Sequence, residues 1–433
     1  MTPIQIGILG CLCLLILLAA SLPVAFAMAV VGFVGFAVVR TPQAAMSMIT
    51  MDLYDTFSSY GLTVVPLFVL MGQVAFHAGI SRRLFNAAYH WLGALPGGLA
   101  MATVGACTAF GAICGSGPAT AATMASVALP EMKRYKYSME LGCGAVAAGG
   151  SLGMLIPPSV VFIVYAIMTE QSVGKLFIAG IVPGLLIALL FCLTIYISCR
   201  RRPQLGPAAP PTRWAARFAS LTGVIETLVL FIVVMGGMFA GFFTPTEAAA
   251  IGAAGTLVIA LVKRQLTIHK VIRSLQETVR TSCMVMIIVT GAVIFGRFLA
   301  VTRIPYELAS FLANLPLPGW GVMGLIILFY LLAGCFVDAL GLILLTIPIF
   351  YPVVLQLGYD PIWFGVIIVV VTQMGVISPP VGVCVYVVSG IARDVPLQTV
   401  FRGALPFLAA LIVAAILLIA FPRLCLFLPE MVR

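Results

Sequence analysis

Apolar residues run along this chain in long uninterrupted stretches, and polar residues gather in short clusters between them. A helix rises about 1.5 Å per residue, so about 20 apolar residues cross a hydrocarbon core of about 30 Å. The stretches read as crossings are Ile4 to Leu22, Val24 to Val39, Leu62 to Ala78, Leu141 to Thr169, Leu176 to Cys199, Val224 to Phe243, Ala248 to Val262, Thr281 to Ala300, Ile362 to Ala392 and Ala404 to Phe421. The pattern predicts an all-α integral membrane protein.

Two further stretches do not fit a straight crossing. Trp91 to Pro130 holds no charge, and as one helix it would be about 60 Å long, twice the core thickness. Its middle reads Gly111-Ala-Ile-Cys-Gly115-Ser116-Gly117-Pro118-Ala-Thr120, which no continuous helix would choose. A re-entrant hairpin, entering and leaving on one side, fits better. Leu308 to Leu357 carries a single charge, Asp338, at its centre. As a second hairpin it puts that carboxylate at the tip.

Landmarks recur at one offset of 222 residues: Pro96-Gly97 with Pro318-Gly319, Ser116 with Asp338, Pro130 with Pro352, Tyr137 with Tyr359, and Gly153-x-x-x-Pro157-Pro158 with Gly375-x-x-x-Pro379-Pro380. Each half then holds a hairpin and a helix broken at Pro-Pro. Five crossings precede Arg200-Arg201-Arg202 and five follow, and an odd number per half inverts the second repeat. The expected organisation is a first inverted repeat over 1–200 (hairpin about 96–130, broken helix about 141–169) and a second over 218–433 (hairpin about 318–352, broken helix about 361–392). Residues 201–217, rich in Pro and Arg, form an exposed cytoplasmic linker between them. Gly79 to Leu95 and Lys263 to Arg280 mix cations with apolar residues, and read either as helices lying at the interface or as basic loops.

Charge orients the whole. With this topology 17 of the 23 cations fall on one side, which the positive-inside rule makes cytoplasmic. Both termini are then expected on the periplasmic side. The first hairpin enters from the cytoplasm and the second from outside, so their tips converge near mid-membrane. Composition agrees: 62% of residues are hydrophobic and 8% charged, against roughly 25% charged in a soluble domain. The net charge of +10 sits in short clusters and does not form the broad face that nucleic-acid binding needs. Ala25-Phe26-Ala27 resembles a signal cleavage site, but the first cation is Arg40 and the apolar run continues to Val39; we expect a retained segment.

Candidate chemistry follows from the breaks. The 11 cysteines show no C-x-x-C pair and the three histidines no metal spacing, so the cysteines read as packing residues. No phosphate-binding loop and no placed base beside Ser116 is present, which leaves a secondary transporter rather than an enzyme or a pump coupled directly to ATP. Irregular backbone at membrane depth is tolerated where it lines a cavity, and freed carbonyls are hard ligands suited to Na⁺. Ser116, Gly153, Ile156 and Pro158 form one candidate Na⁺ site, and Asp338, Gly375, Ser378 and Pro380 the other. The alternative for each Gly and Pro is a simple kink in a packed helix. Half-helix N-termini at this level suit a substrate carboxylate, with Ser116, Gly117, Thr120, Ser151 and Thr372 as candidate contacts. An intramembrane carboxylate is costly, which singles out Asp338. Arg297 either binds a substrate carboxylate or snorkels to the outer surface.

Gly115-Ser116-Gly117-Pro118-Ala119-Thr120-Ala-Ala-Thr-Met124, Gly150-Ser151-Leu-Gly153-Met-Leu-Ile156-Pro157-Pro158-Ser159 and Val376-Ile377-Ser378-Pro379-Pro380-Val-Gly382 resemble the DctM-like large membrane (M) subunit of tripartite ATP-independent periplasmic (TRAP) transporters. The likeness covers essentially the whole chain. It implies a Na⁺-driven elevator in the bacterial inner membrane, in which both hairpins and both broken helices slide against a scaffold. It also implies a small four-helix membrane partner, the Q subunit, expected as a separate chain, and a periplasmic substrate-binding P subunit that delivers an organic acid. The competing expectation is a self-sufficient Na⁺- or H⁺-coupled anion transporter of related architecture that needs no binding protein.

Overall fold

The computed structural model describes residues 2–209, 212–313 and 318–431. Residues 210 and 211 of the expected linker, 314–317 of the second uncharged run, and 1, 432 and 433 at the ends of the expected repeats lie outside the described residues. All regular structure among the described residues is helical.

The first half opens with α1 (Pro3–Ala19) and α2 (Val24–Val39), separated at Pro23. Then come α3 (Pro42–Ser58), α4 (Val64–His77) and α5 (Ile80–Leu92). The first hairpin pairs α6 (Gly98–Cys114) with α7 (Gly117–Arg134). The first broken helix is α8 (Met139–Ser151), a 3₁₀ turn at Leu152–Met154, and α9 (Val160–Thr169); α10 (Val173–Arg201) ends the half.

The second half starts with α11 (Trp214–Phe231), which runs through a π turn into the short α12 (Gly237–Phe239). It continues with α13 (Pro245–Val262), α14 (Ile268–Thr302) and α15 (Ile304–Ala313). The second hairpin is α16 (Gly319–Gly334) with α17 (Ala339–Gln356), and the second broken helix is α18 (Pro361–Ile377) with α19 (Val383–Ile391). The last helices are α20 (Leu397–Ala420) and α21 (Arg423–Met431). Among the described residues, seven helical stretches are long and apolar enough to cross a membrane; others, including α1, α2 and α18, are apolar but shorter.

Three features depart from the expectations. The segment 263–280 forms no separate interfacial helix or loop, because most of it is the first part of the 35-residue α14. No proline interrupts α14, whereas one offset earlier Ser59 and Gly61 fall in residues 59–63, which separate α3 from α4, and Pro66 falls in the first turn of α4. Helix α3 itself was not expected; Thr41 caps it, accepting from the Ala44 amide at 3.2 Å, and Pro42 opens it. The linker, expected to be merely exposed, is tied down. Gly97 N donates to Gly206 O at 3.0 Å, Ser138 N to Leu205 O at 3.0 Å and Ala209 N to Gly93 O at 2.9 Å. The Tyr137 hydroxyl donates to Pro207 O at 2.9 Å and accepts from Leu99 N at 3.2 Å. Residues 205–209 therefore strap the base of the first hairpin to the end of α5.

The core lies along the first arms of the two broken helices. Every residue of α18 from Ile362 to Ile377, and of α8 from Leu141 to Ser151, is buried. Between them Gln373 Nε2 donates to the Ser151 carbonyl at 2.9 Å, and these two residues are 222 apart in sequence. A residue touches its own counterpart only near an axis relating two halves, so this bond marks where the halves meet. Absent side chains let the hairpins approach: a Cβ on Gly111 would stand 2.9 Å from the Gly153 Cα, and a Cβ on Gly375 would overlap the Gly334 backbone.

Substitution Gly375→Ala should therefore cost roughly 1–3 kcal/mol, read as a lower melting temperature of the detergent-solubilised protein. Gly390 has open space around it, and Gly390→Ala should change stability by less than about 0.5 kcal/mol. Equal effects would refute the close-approach account.

Candidate functional site

Each hairpin turns where its sequence forbids further helix. Helix α6 ends at Gly115, which takes the left-handed conformation at φ +65°, and extended Ser116 leads into Gly117-Pro118 at the start of α7. Glycine takes this φ without a Cβ clash, and proline in the first turn loses no needed donor. In the second hairpin Asp338 caps α17, its Oδ2 accepting from Leu340 N at 3.2 Å. A carboxylate here bonds an orphan amide and meets the positive end of the helix.

The breaks are covered by the tips. Pro157 and Pro158 bring no N–H to the carbonyls of Gly153 and Met154, and the Ser159 hydroxyl supplies one donor to Met154 O. The restarting amide of Val160 bonds Gly115 O at 3.2 Å. In the second half Ser378 Oγ donates to Met374 O at 2.6 Å, and Val381 N bonds Cys335 O at 3.2 Å. The Pro157–Pro158 and Pro379–Pro380 peptide bonds are both cis.

Both tips open on one cavity of about 260 Å³, lined by Ser116 and Gly117 from the first and Asp338 and Ala339 from the second. Its lining also includes Gln73 of α4 and Thr281 and Met284 of α14. The N-termini of α7 and α17 thus meet the same space, offering orphan amides and positive dipole ends to an anion. A second cavity, of about 310 Å³, shares Gln73, Cys114 and Ala119 with the first and extends to Thr123, Ser126 and Glu277. Glu277 also pairs with His77 Nε2 at 3.2 Å.

Of the first expected cation site, Ser116 and Gly153 come together, joined by Thr120. A Cβ on Gly153 would stand 2.7 Å from Thr120 Oγ1 and 2.9 Å from Ser116 O. Thr120 Oγ1 is buried and has no hydrogen-bond partner among the described residues, so a costly polar atom lies beside Gly153 and the Ser116 carbonyl. The Pro158 carbonyl lies against Gly115, while the Ile156 side chain packs on Gly184 of α10. Of the second site, Asp338 lines the cavity, Gly375 packs on Gly334, and Pro380 is exposed. Two expected substrate contacts are otherwise engaged: Ser151 Oγ donates to Ala148 O at 2.7 Å and Thr372 Oγ1 to Val369 O at 2.9 Å. The sequence reading missed Gln73 and Gln373, although an amide inside an apolar span was a usable signal. Gln373 is fully buried, and its Oε1 has no partner among the described residues.

Comparison with known proteins places this arrangement. Residues 11–424 match the model of the family described as "Tripartite ATP-independent periplasmic transporter, DctM component". The chain is 39% identical to the C4-dicarboxylate TRAP transporter large permease protein DctM of Pseudomonas aeruginosa, over 90% of this chain and 91% of that protein. It is 34% identical to the isethionate TRAP transporter permease protein DctMQ of Oleidesulfovibrio alaskensis, over 91% of this chain and 62% of that longer protein. Among solved structures, the YdaH transporter of Alcanivorax borkumensis shares the fold, with a TM-score of 0.58 at 15% identity over 89% of this chain and 88% of that one.

Arg297 is not at the cavity. Its guanidinium pairs with Asp52 of α3, Nη2 at 3.0 Å and Nε at 3.1 Å from Oδ1, and Asp52 is buried while Arg297 is largely exposed. Truncation by Arg297→Ala would strand a buried carboxylate and should cost roughly 1–3 kcal/mol or more. Adding Asp52→Asn should restore much of the lost melting temperature; a strictly additive double variant would argue against the pairing.

Proposed function

The chain belongs to the DctM family of tripartite ATP-independent periplasmic transporters, and on that premise we propose that it imports an organic acid across a bacterial inner membrane, driven by Na⁺. As a member of a transporter family it is not an enzyme. The observation that carries the proposal is the convergence of both hairpin tips on one cavity. There two helix N-termini suit an acid group, and beside the first tip the buried, unpartnered Thr120 hydroxyl next to Gly153 and the Ser116 carbonyl suits a small hard cation. Asp338 at the second tip supplies the carboxylate of a second cation position, and its charge is balanced when the cation is bound. The transporters whose names carry C4-dicarboxylate and isethionate handle a carboxylate and a sulfonate, so the common requirement on this cavity is an anionic head.

The moving body in this reading comprises α6 to α9 and α16 to α19, whose tips and breaks are bonded to each other. It slides past a wall that includes α4 and the roughly 52 Å long α14. The side with 17 of the 23 cations faces the cytoplasm and both termini face the periplasm. A periplasmic binding protein delivers the acid, and a small Q-type membrane subunit completes the permease. The relative named DctMQ, of which this chain covers 62%, supports the last point.

Proteoliposomes holding this chain, its small membrane partner and the matching binding protein should accumulate labelled acid only with an inward Na⁺ gradient. Asp338→Ala should reduce uptake about tenfold or more. Thr120→Val should weaken the rise in melting temperature that Na⁺, compared with K⁺, gives the wild type. Equal uptake without Na⁺ would overturn the coupling, and full uptake without the binding protein would favour a self-sufficient anion transporter.

A further inference from the structure

The end of α5 meets the start of α11 in a cluster of aromatic rings that lines neither of the two cavities. Trp91 lies edge-on to Trp214 at 6.5 Å and to Phe218 at 5.9 Å between centroids, and Trp214 stacks with Phe218 at 6.3 Å. Trp214 and Phe218 are 64% and 59% exposed, and Trp91 is 38% exposed. Such exposure of indoles is costly in water but ordinary at a membrane interface, where the ring meets acyl chains and headgroups.

The cluster also holds a cation. The Arg217 guanidinium carbon lies 4.7 Å from the centre of the Trp214 ring. A guanidinium held over an aromatic ring can still offer its N–H groups to an acceptor oxygen. Its Nε is buried and has no hydrogen-bond partner among the described residues, so an acceptor is missing. The protein has little to offer as one. The sequence contains no Asp or Glu between Asp55 and Glu131, which spans α5, or between Glu170 and Glu226, which spans the linker and the start of α11. Glu226 itself is engaged by Lys263 at 2.6 Å and Arg83 at 3.6 Å. Over the same stretches stand Arg82, Arg200, Arg201, Arg202 and Arg213.

We propose that Arg217, Trp91, Trp214 and Phe218 form a binding site for the phosphate headgroup of an anionic phospholipid. The phosphate accepts from the N–H edge of Arg217, whose charge has no acidic partner nearby in sequence and therefore selects a headgroup with net negative charge over a zwitterionic one, and the acyl chains lie along the exposed rings. The site is separate from the transport cavity, and it does not depend on the identity of the transported acid.

The four tryptophans make the test direct. Trp363 is buried and Trp320 lies at the second hairpin, so a Trp320→Phe protein reports mainly on the cluster. It should be reconstituted in vesicles titrated with brominated phosphatidylglycerol or brominated phosphatidylcholine, which quench indole fluorescence on contact. Half-quenching should need about fivefold less phosphatidylglycerol, the ratio expected of about one favourable cation–headgroup contact. Arg217→Gln should bring the two lipids close to parity, and Arg217→Lys, which keeps the charge but not the fork, should lie between. Circular dichroism of the same vesicles checks that the variants are folded. Equal quenching by both lipids in the parent protein, an unchanged ratio in folded Arg217→Gln, or no quenching by either lipid would each overturn the proposal.

Discussion

The structure depends on one constraint: in hydrocarbon, no backbone amide or carbonyl can be left to water. Breaking a helix at Pro-Pro creates such groups at the worst depth, and each break here is answered by a hairpin tip. Gly115 O takes the Val160 amide and Cys335 O takes the Val381 amide. Hairpin and broken helix are thereby fastened to each other, and the glycines at 111, 153, 334 and 375 allow backbone to lie on backbone. A site made from these pieces keeps its geometry if they move together, because its ligands and its fastenings are the same atoms' neighbours.

The two halves solve this constraint in related but unequal ways. Position 116 is a neutral serine and its counterpart 338 a carboxylate that caps its own helix. The first break is buried, while Pro379 and Pro380 are exposed. Both tips nevertheless reach the same cavity. Where the halves meet, Gln373 bonds Ser151, so this hydrogen bond between counterpart residues is made by an amide in one half and a main-chain carbonyl in the other.

Much of this was legible in the sequence. The hairpins, the Pro-Pro breaks, the carboxylate at the second tip and the link between halves all follow from local rules about Gly, Pro and charge in apolar surroundings. What escaped reading is long-range. Nothing near Arg297 announces Asp52, and nothing near Gly206 announces Gly97, because these partners meet only after folding. Helix α3 did carry a start signal, Thr41-Pro42, but its mixed face hid it between stronger spans. The continuity of α14 is an absence of breakers, which a search for charged boundaries at Arg280 overrides.

The strap formed by residues 205–209 gives biosynthesis an order. The base of the first hairpin finds acceptors for Gly97 N and Ser138 N in Gly206 and Leu205, which a ribosome adds after all of α10. The hairpin can enter the membrane early, yet its base stays unfinished until the chain has turned back through the linker. The segment that separates the two halves is thus also the last piece of the first.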